Sequence, residues 1–181
     1  MTSPNSGSEQ GPYAIMTTSL GKFVIRLLPR AAPQTVANFI SLANSGFYTN
    51  LVWHRIVPGF VIQTGDPTTK NGNGNRLQWG MGGGPKTVPL ETDPSCHNKA
   101  GSVGLARGGD PNSGSSQFYV NLNDNSQSLD GGYAVFGEVV SGMSIVNLIA
   151  GSPIYTNGAY LDQPIAPGSA LLMSVTIQDT P

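Results

Sequence analysis

What most limits the folds open to this chain is its density of turn formers: 24 glycines and 14 prolines among 181 residues. That is about a fifth of the chain, against ~12% in an average soluble domain. In a helix interior glycine costs about 1 kcal/mol and proline about 3 kcal/mol relative to alanine. Residues of these types, scattered along the whole length, cut the chain into short segments and argue against a helix bundle. A chain of 181 residues, 38% of them hydrophobic, can still bury one sizeable core. Many short strands around that core are expected.

Charge narrows the partners. Nine Lys and Arg against ten Asp and Glu leave a net charge of −1, and charged residues make up only 10% of the chain. There is no basic stripe, so nucleic acid is not an expected partner, and nothing favours attraction to an anionic membrane. No apolar run approaches the ~18 residues of a membrane span, and residues 1–11 are not expected to act as a signal peptide. Residues 1–11 are polar and Ser/Gly-rich and read as a flexible tail or linker, leaving 12–181 as one domain. The scarcity of charge favours an exported or periplasmic mature domain; a native start at Met1 would make it cytoplasmic. Cys96, the only cysteine, excludes an intrachain disulfide and reads as an inert thiol in a polar loop.

Periodicity then places the elements. Residues 13–19 and 22–28 are extended runs joined by Leu20-Gly21; in the second, Phe23, Ile25 and Leu27 alternate with Val24, Arg26 and Leu28. Period two across a tight connection predicts a β-hairpin. Val36, Phe39, Ile40 and Ala43 fall at i, i+3, i+4 and i+7, with Pro33 in the first turn and Gly46 past the end. They predict an amphipathic helix over about 30–45. Strand composition returns over 48–64, broken by Pro58-Gly59, a pair suited to the centre of a type II turn. Residues 65–98 form a long loop rich in Gly, Pro, Asn and Thr, of the kind that is functional or mobile. Further strands are expected at 102–106, 117–122 and 134–140, then a short helix at about 142–150 with Ile145, Val146, Leu148 and Ile149 as its apolar face. Residues 171–178 would close the sheet. Eight or so strands with two helices and no βαβ rhythm point to a mainly β fold, a closed antiparallel β-barrel.

Several kinds of chemistry are unsupported. No G-x-S-x-G nucleophile elbow occurs. Residues 80–87 fall one residue short of a phosphate loop, with Pro85 where glycine must approach phosphate and Pro89 blocking the helix that should follow. Asn121, Asn123 and Asn125 have calcium-loop spacing, but Ser126 replaces the turn glycine and Gly132 the final glutamate. With His54, His97 and Cys96 as the only histidines and cysteine, zinc has almost nothing to bind to, and neither metal nor cofactor is expected.

Residues 53–66 read Trp53-His54-Arg55-Ile56-Val57-Pro58-Gly59-Phe60-Val61-Ile62-Gln63-Thr64-Gly65-Asp66. This segment closely resembles the signature of the cyclophilins, which are peptidyl-prolyl cis-trans isomerases. Gly104-Leu105-Ala106-Arg107 followed by Ser116-Gln117-Phe118-Tyr119-Val120 resembles a second block of that family, and Leu129-Asp130-Gly131-Gly132-Tyr133-Ala134-Val135-Phe136-Gly137 a third. The blocks stand in family order and the likeness covers about 13–178. It implies an eight-stranded barrel capped by two helices, no cofactor, and catalysis of X-Pro rotation in peptides and unfolded chains.

Physical chemistry suits these residues to that reaction. Rotation about an X-Pro bond destroys amide resonance, at a barrier of ~18–20 kcal/mol. At the twisted transition state the proline nitrogen regains a lone pair, and a fixed donor aimed there stabilises that state selectively. Arg55 suits the role, being always charged and carrying a rigid fork of donors. By resemblance Gln63 holds the substrate's carbonyl side, and Phe60, Tyr119 and Leu129 wall an apolar pocket for the proline ring. Val61 stands where many relatives have methionine, Ala106 and Arg107 resemble the strand that pairs with substrate backbone, and Gln117 resembles a buried glutamine that helps hold Arg55. His54 neighbours Arg55, but alternation along a strand turns it inward, as a hydrogen-bonded structural histidine. A simple two-residue hairpin at Pro58-Gly59 would put Arg55 and Gln63 on opposite faces, so a bulge or bend is required.

Two positions depart from the best-known eukaryotic pattern. Tyr133 replaces a pocket histidine, as in many bacterial members, and Ser128 replaces a tryptophan that contacts cyclosporin. Weak cyclosporin binding is therefore expected, with proline-containing peptides and unfolded chains as partners of a monomer. The alternative is a non-catalytic proline-peptide binding module or holding chaperone, against which the presence of both Arg55 and Gln63 argues. A small-ligand barrel transporter would need a hollow interior, and the large apolar residues expected to point inward oppose that.

Overall fold

The computed structural model describes residues 11–181; the tail expected over 1–11 lies outside the described residues except for Gly11. One antiparallel sheet contains β1 (Tyr13–Thr18), β2 (Gly21–Leu27), β3 (Leu51–Val52), β4 (Arg55–Val57), β5 (Val61–Thr64), β6 (Ser102–Leu105), β7 (Phe118–Asn121), β8 (Val135–Ser141) and β9 (Leu171–Gln178). Their order is β3-β9-β1-β2-β8-β6-β7-β5-β4. The two ends of that order are neighbours in the chain, separated only by Trp53 and His54. The expected eight-stranded barrel thus takes a modified form: 51–57 acts as one interrupted strand, pairing with β9 through its first half and with β5 through its second.

The interruption has a cause in burial. Leu51, Val52 and Trp53 are 0% exposed and His54 is 3% exposed, so four successive residues are covered where a strand facing one core would bury alternate ones. At this seam the Val52 N–H donates to Thr69 Oγ1 at 3.0 Å. The Trp53 N–H donates to the Ala170 carbonyl at 2.9 Å, and the Ile56 N–H to that of Asp162 at 2.8 Å.

The first hairpin forms with its turn one residue earlier than expected. Thr18 pairs with Gly21 across Ser19-Leu20, and Thr18 Oγ1 closes the turn by accepting from the Leu20 N–H and donating to the Gly21 carbonyl. Helix α1 spans Pro33–Asn44, shorter than 30–45 because a residue before proline is driven out of the helical region; Ala32 has φ −145 and ψ 72. Its first N–H groups are satisfied from the long loop: Gln34 and Thr35 donate to the Glu91 carboxylate at 2.9 and 2.8 Å, a favourable charge at a helix N-terminus. Phe39 from α1 packs among Tyr48, Phe118 and Phe136 with ring centroids 5.2–5.4 Å apart, filling the barrel mouth.

A single-turn helix, α2 (Ser126–Leu129), was not expected from periodicity. Helix α3 covers Met143–Ala150 and buries Val146 and Ile149. Leu148, assigned to the same apolar face, is instead 55% exposed, because each residue turns the helix by about 100° and places it well away from the Val146–Ile149 row. Among the described residues no helix is long and apolar enough to cross a membrane.

Candidate active site

Arg55 and Gln63 meet because of one residue in a turn. The Phe60 N–H donates to the Val57 carbonyl at 2.9 Å and Gly59 has φ +73, the type II turn expected at Pro58-Gly59. The ladder, however, pairs Arg55 with Gln63, Ile56 with Ile62 and Val57 with Val61. Phe60 is therefore a third connecting residue, and the parity changes: directly opposed residues share a face. This is the irregularity that the sequence required without locating. The Phe60 carbonyl is held in turn, accepting from the Leu122 N–H at 2.8 Å and from Asn125 Nδ2 at 2.9 Å.

Of the ten expected site residues, Arg55, Phe60, Val61, Gln63, Ala106, Arg107, Tyr119, Leu129 and Tyr133 line one cavity of about 320 Å³. Phe60 and Leu129 are half-buried rather than core. Ala106 and Arg107 leave the ladder just after β6. Gln117 faces an adjoining cavity of about 420 Å³, which shares Gln63, Ala106 and Arg107 and is otherwise walled by residues 80–83 with Gly108, Ser113 and Ser115.

A chain of amides runs from Arg55 inward. Arg55 Nη1 lies 3.5 Å from Gln63 Oε1, Gln63 Nε2 donates to Gln117 Oε1 at 2.9 Å, and Gln117 Nε2 donates to the carbonyls of Gly80 and Gly82 at 2.8 and 2.7 Å. Gln117 thus reaches Arg55 only through Gln63. Asp66, fully buried, fixes the far end: its carboxylate accepts from the N–H of Gly80 at 2.5 Å and of Gly82 at 3.3 Å, and from Thr68.

His54 faces inward as expected, but it is not hydrogen-bonded as expected. Neither ring nitrogen makes a hydrogen bond of normal geometry. Burial pulls its pKa down to about 4, against weaker opposing influences from Asp66, the Val52 backbone and Gln117. The ring is neutral near pH 7 and unsuited to acid–base work.

The apolar wall has its own polar support. The Tyr119 hydroxyl donates to Asn98 Oδ1 at 2.8 Å. Asn121 Nδ2 donates to the same oxygen at 3.1 Å and to Ser102 Oγ at 2.8 Å, and Asn125 Nδ2 donates to Asn121 Oδ1 at 2.8 Å. Asn98 donates through its backbone and side chain to Asp130 Oδ1 at 2.8 and 2.9 Å, and Asp130 Oδ2 meets His97 Nδ1 at 2.6 Å. Burial raises the Asp130 carboxyl, but these Asn98 and His97 contacts outweigh it and hold it below its usual range. Two asparagines that had calcium-loop spacing are thus occupied inside the wall. Gly104, opposite Tyr119 in the ladder, makes room for the phenol: a Cβ there would lie 2.2 Å from its ring.

Arg107 stands over the Tyr133 ring, 4.6 Å from its centroid, and donates to the carbonyls of Gly132 and Gly108 at 2.8 and 2.9 Å. Ser128 is exposed on α2 beside Leu129. Cys96 lies away from the cavity linings, and burial, chiefly, pushes its thiol up. Among the described residues no cluster of three His, Cys, Asp or Glu could hold a metal ion. The sequence reading missed Asp66, Gly80, Gly82, Asn98, Asn121 and Asn125. Asp66 closes the signature segment and could have been flagged there; the glycine carbonyls carry no side-chain signal.

Residues 13–166 match the family model described as cyclophilin type peptidyl-prolyl cis-trans isomerase/CLD. A peptidyl-prolyl cis-trans isomerase A from Dickeya dadantii is 33% identical over 91% of this chain and 85% of its own. A peptidyl-prolyl cis-trans isomerase B from Escherichia coli is 33% identical over 90% of this chain and 97% of its own. A Cryptosporidium parvum cyclophilin solved in the presence of the dipeptide Ala-Pro superposes with a TM-score of 0.79 at 26% identity, covering 92% of this chain and 98% of that one.

Proposed function

The chain belongs to the cyclophilin-type peptidyl-prolyl cis-trans isomerases, and on that premise we propose that residues 12–181 form one isomerase unit whose turnover runs through Arg55. The carrying observation is the Arg55–Gln63 pair on one face, lining the same cavity as the apolar side chains of Phe60, Tyr119 and Leu129. A proline ring enters between Phe60, Tyr119 and Leu129, and burial of its methylenes, about 0.8 kcal/mol each, holds it in ground and transition state alike.

With the ring fixed, the acyl side turns. The Arg55 guanidinium, 5.9 Å from the Phe60 centroid, donates to the proline nitrogen as its lone pair forms. Such a donor contributes roughly 3–4 kcal/mol, or ~10²–10³ in rate. Gln63 keeps Arg55 aimed through Oε1 and uses the second N–H of Nε2, the first being given to Gln117, to hold the substrate's carbonyl side. No bond to the enzyme forms and no proton moves, so neither a nucleophile nor a metal is required.

The substrates are proline-containing peptides and unfolded chains, a reading supported by the Ala-Pro dipeptide present with the Cryptosporidium parvum cyclophilin. Ser128, exposed on the rim helix, leaves cyclosporin without an indole anchor, so inhibition by that drug is weak. A protease-coupled assay on a short Ala-Pro peptide tests the reading directly. Turnover well above the uncatalysed exchange of tens of seconds is expected; binding without turnover would make the protein a holding module instead.

A further inference from the structure

We propose that Arg107 makes this groove selective for substrates carrying an acidic side chain within two residues of the proline, an inference that rests on the isomerase reading. Arg107 lies on the wall shared by the proline cavity and the adjoining one. Neither cavity is lined by a single Asp or Glu, whereas Arg55 and Arg107 both line the first. The chain as a whole carries −1, so this positive groove is a local departure from the molecule's balance. Among the described residues the side chains that meet a carboxylate at ion-pair distance are Arg26 and His97, not Arg107.

The guanidinium is also held in place. Its Nε and Nη1 donate to Gly132 and Gly108 and its face lies on Tyr133, which accounts for two of five N–H donors. A fixed planar fork with donors remaining is suited to a carboxylate. Asp110, the nearest acidic residue along the sequence, accepts from the Asn112 N–H, and Asp130, two residues before the Gly132 carbonyl that Arg107 binds, accepts from Asn98 and His97. A proline seated against Phe60 and Tyr119 leaves a flanking residue at the shared wall, where Arg107 meets it.

The test is a set of acetylated, amidated proline peptides with Glu, Gln or Lys at each of the two positions before and after the proline, assayed for kcat/KM. At about 20 mM salt Glu should exceed Gln by about two- to fivefold at one position or more, with Lys below Gln, as for a partly exposed ion pair. The preference should shrink at about 0.5 M salt through screening. Arg107→Gln should bring the Glu/Gln ratio to about one, and Arg107→Lys should retain part of it. A ratio of one at all four positions in the parent overturns the inference while leaving the isomerase reading intact. A ratio that survives Arg107→Gln also overturns it, because the selectivity would then belong to Arg55. Turnover of none of the peptides overturns the isomerase reading and this inference with it.

Discussion

The two sides of the groove are both backed by chains of buried amides, yet the chains do different things. On one side Arg55, Gln63, Gln117 and the carbonyls of Gly80 and Gly82 form a line that ends on Asp66. On the other, Asn98, Asn121 and Asn125 tie Tyr119 and the Phe60 backbone to Asp130. The first line emerges in the cavity as a charged donor. The second presents only rings and aliphatic groups there, its polar atoms facing away. Under the proposed function the two networks divide the labour: one aims the group assigned to the transition state, the other holds the surface assigned to ground and transition states alike.

The sharpest way to break this comparison is Arg55→Ala. It should lower kcat/KM by about 10²-fold or more, the scale of one lost transition-state donor. Thermal stability should stay within about 0.5 kcal/mol of the parent because the side chain is partly exposed. Activity within about threefold of the parent would remove Arg55 from the chemistry.

Phe60→Ala probes the other side. Loss of an aromatic contact of about 2 kcal/mol corresponds to about thirtyfold in kcat/KM, and KM should rise as well as kcat fall. If the folded fraction works normally while stability alone collapses, Phe60 is core rather than wall.

Ser128→Trp adds to the wall without touching the relay. About tenfold tighter inhibition by cyclosporin is expected, part of what an indole contributes elsewhere, with kcat on Ala-Pro peptides unchanged. Tight inhibition of the parent, or no gain in the variant, would remove α2 from the drug's footprint.

The smallest effect is a pH slope. His54 titrates near 6.5 when unfolded and near 4 when folded, so below pH 6.5 the unfolded state binds the extra proton. Stability from this group is present above about pH 6.5 and is lost as the pH falls towards 4. The loss should reach about 1 kcal/mol by pH 5.5. Denaturant melts should show that slope in the parent and a flatter one between pH 6.5 and 5 in His54→Gln. Equal slopes would place the proton elsewhere.

Much of this was legible from residue order alone. Period-two spacing in 22–28 and the Val36–Phe39–Ala43 stripe gave β2 and α1 directly, since each depends on its own local pattern. Arg55, Gln63, Phe60 and Tyr119 stood in recognisable blocks. The parity of the β4–β5 turn was not legible, because a type II turn at Pro58-Gly59 is compatible with pairing Val57 to Phe60 or to Val61. Nor were Gly80 and Gly82, which contribute carbonyls that every residue possesses. The asparagines failed for a different reason: Asn98 and Asn121 are more than twenty residues apart, and a polar residue in a loop or at a strand end reads as solvated until the fold covers it.

The seam at Trp53 and His54 matters for an enzyme of this kind. Unfolded clients carry apolar stretches in search of a β partner, and a catalyst offering a raw strand border would be captured by them or seed their aggregation. Here the two borders run into each other, and what would be bare N–H groups at Val52 and Ile56 are taken by Thr69 and Asp162. Under the proposed function a client lies in the groove and leaves without being zipped onto the sheet beside it.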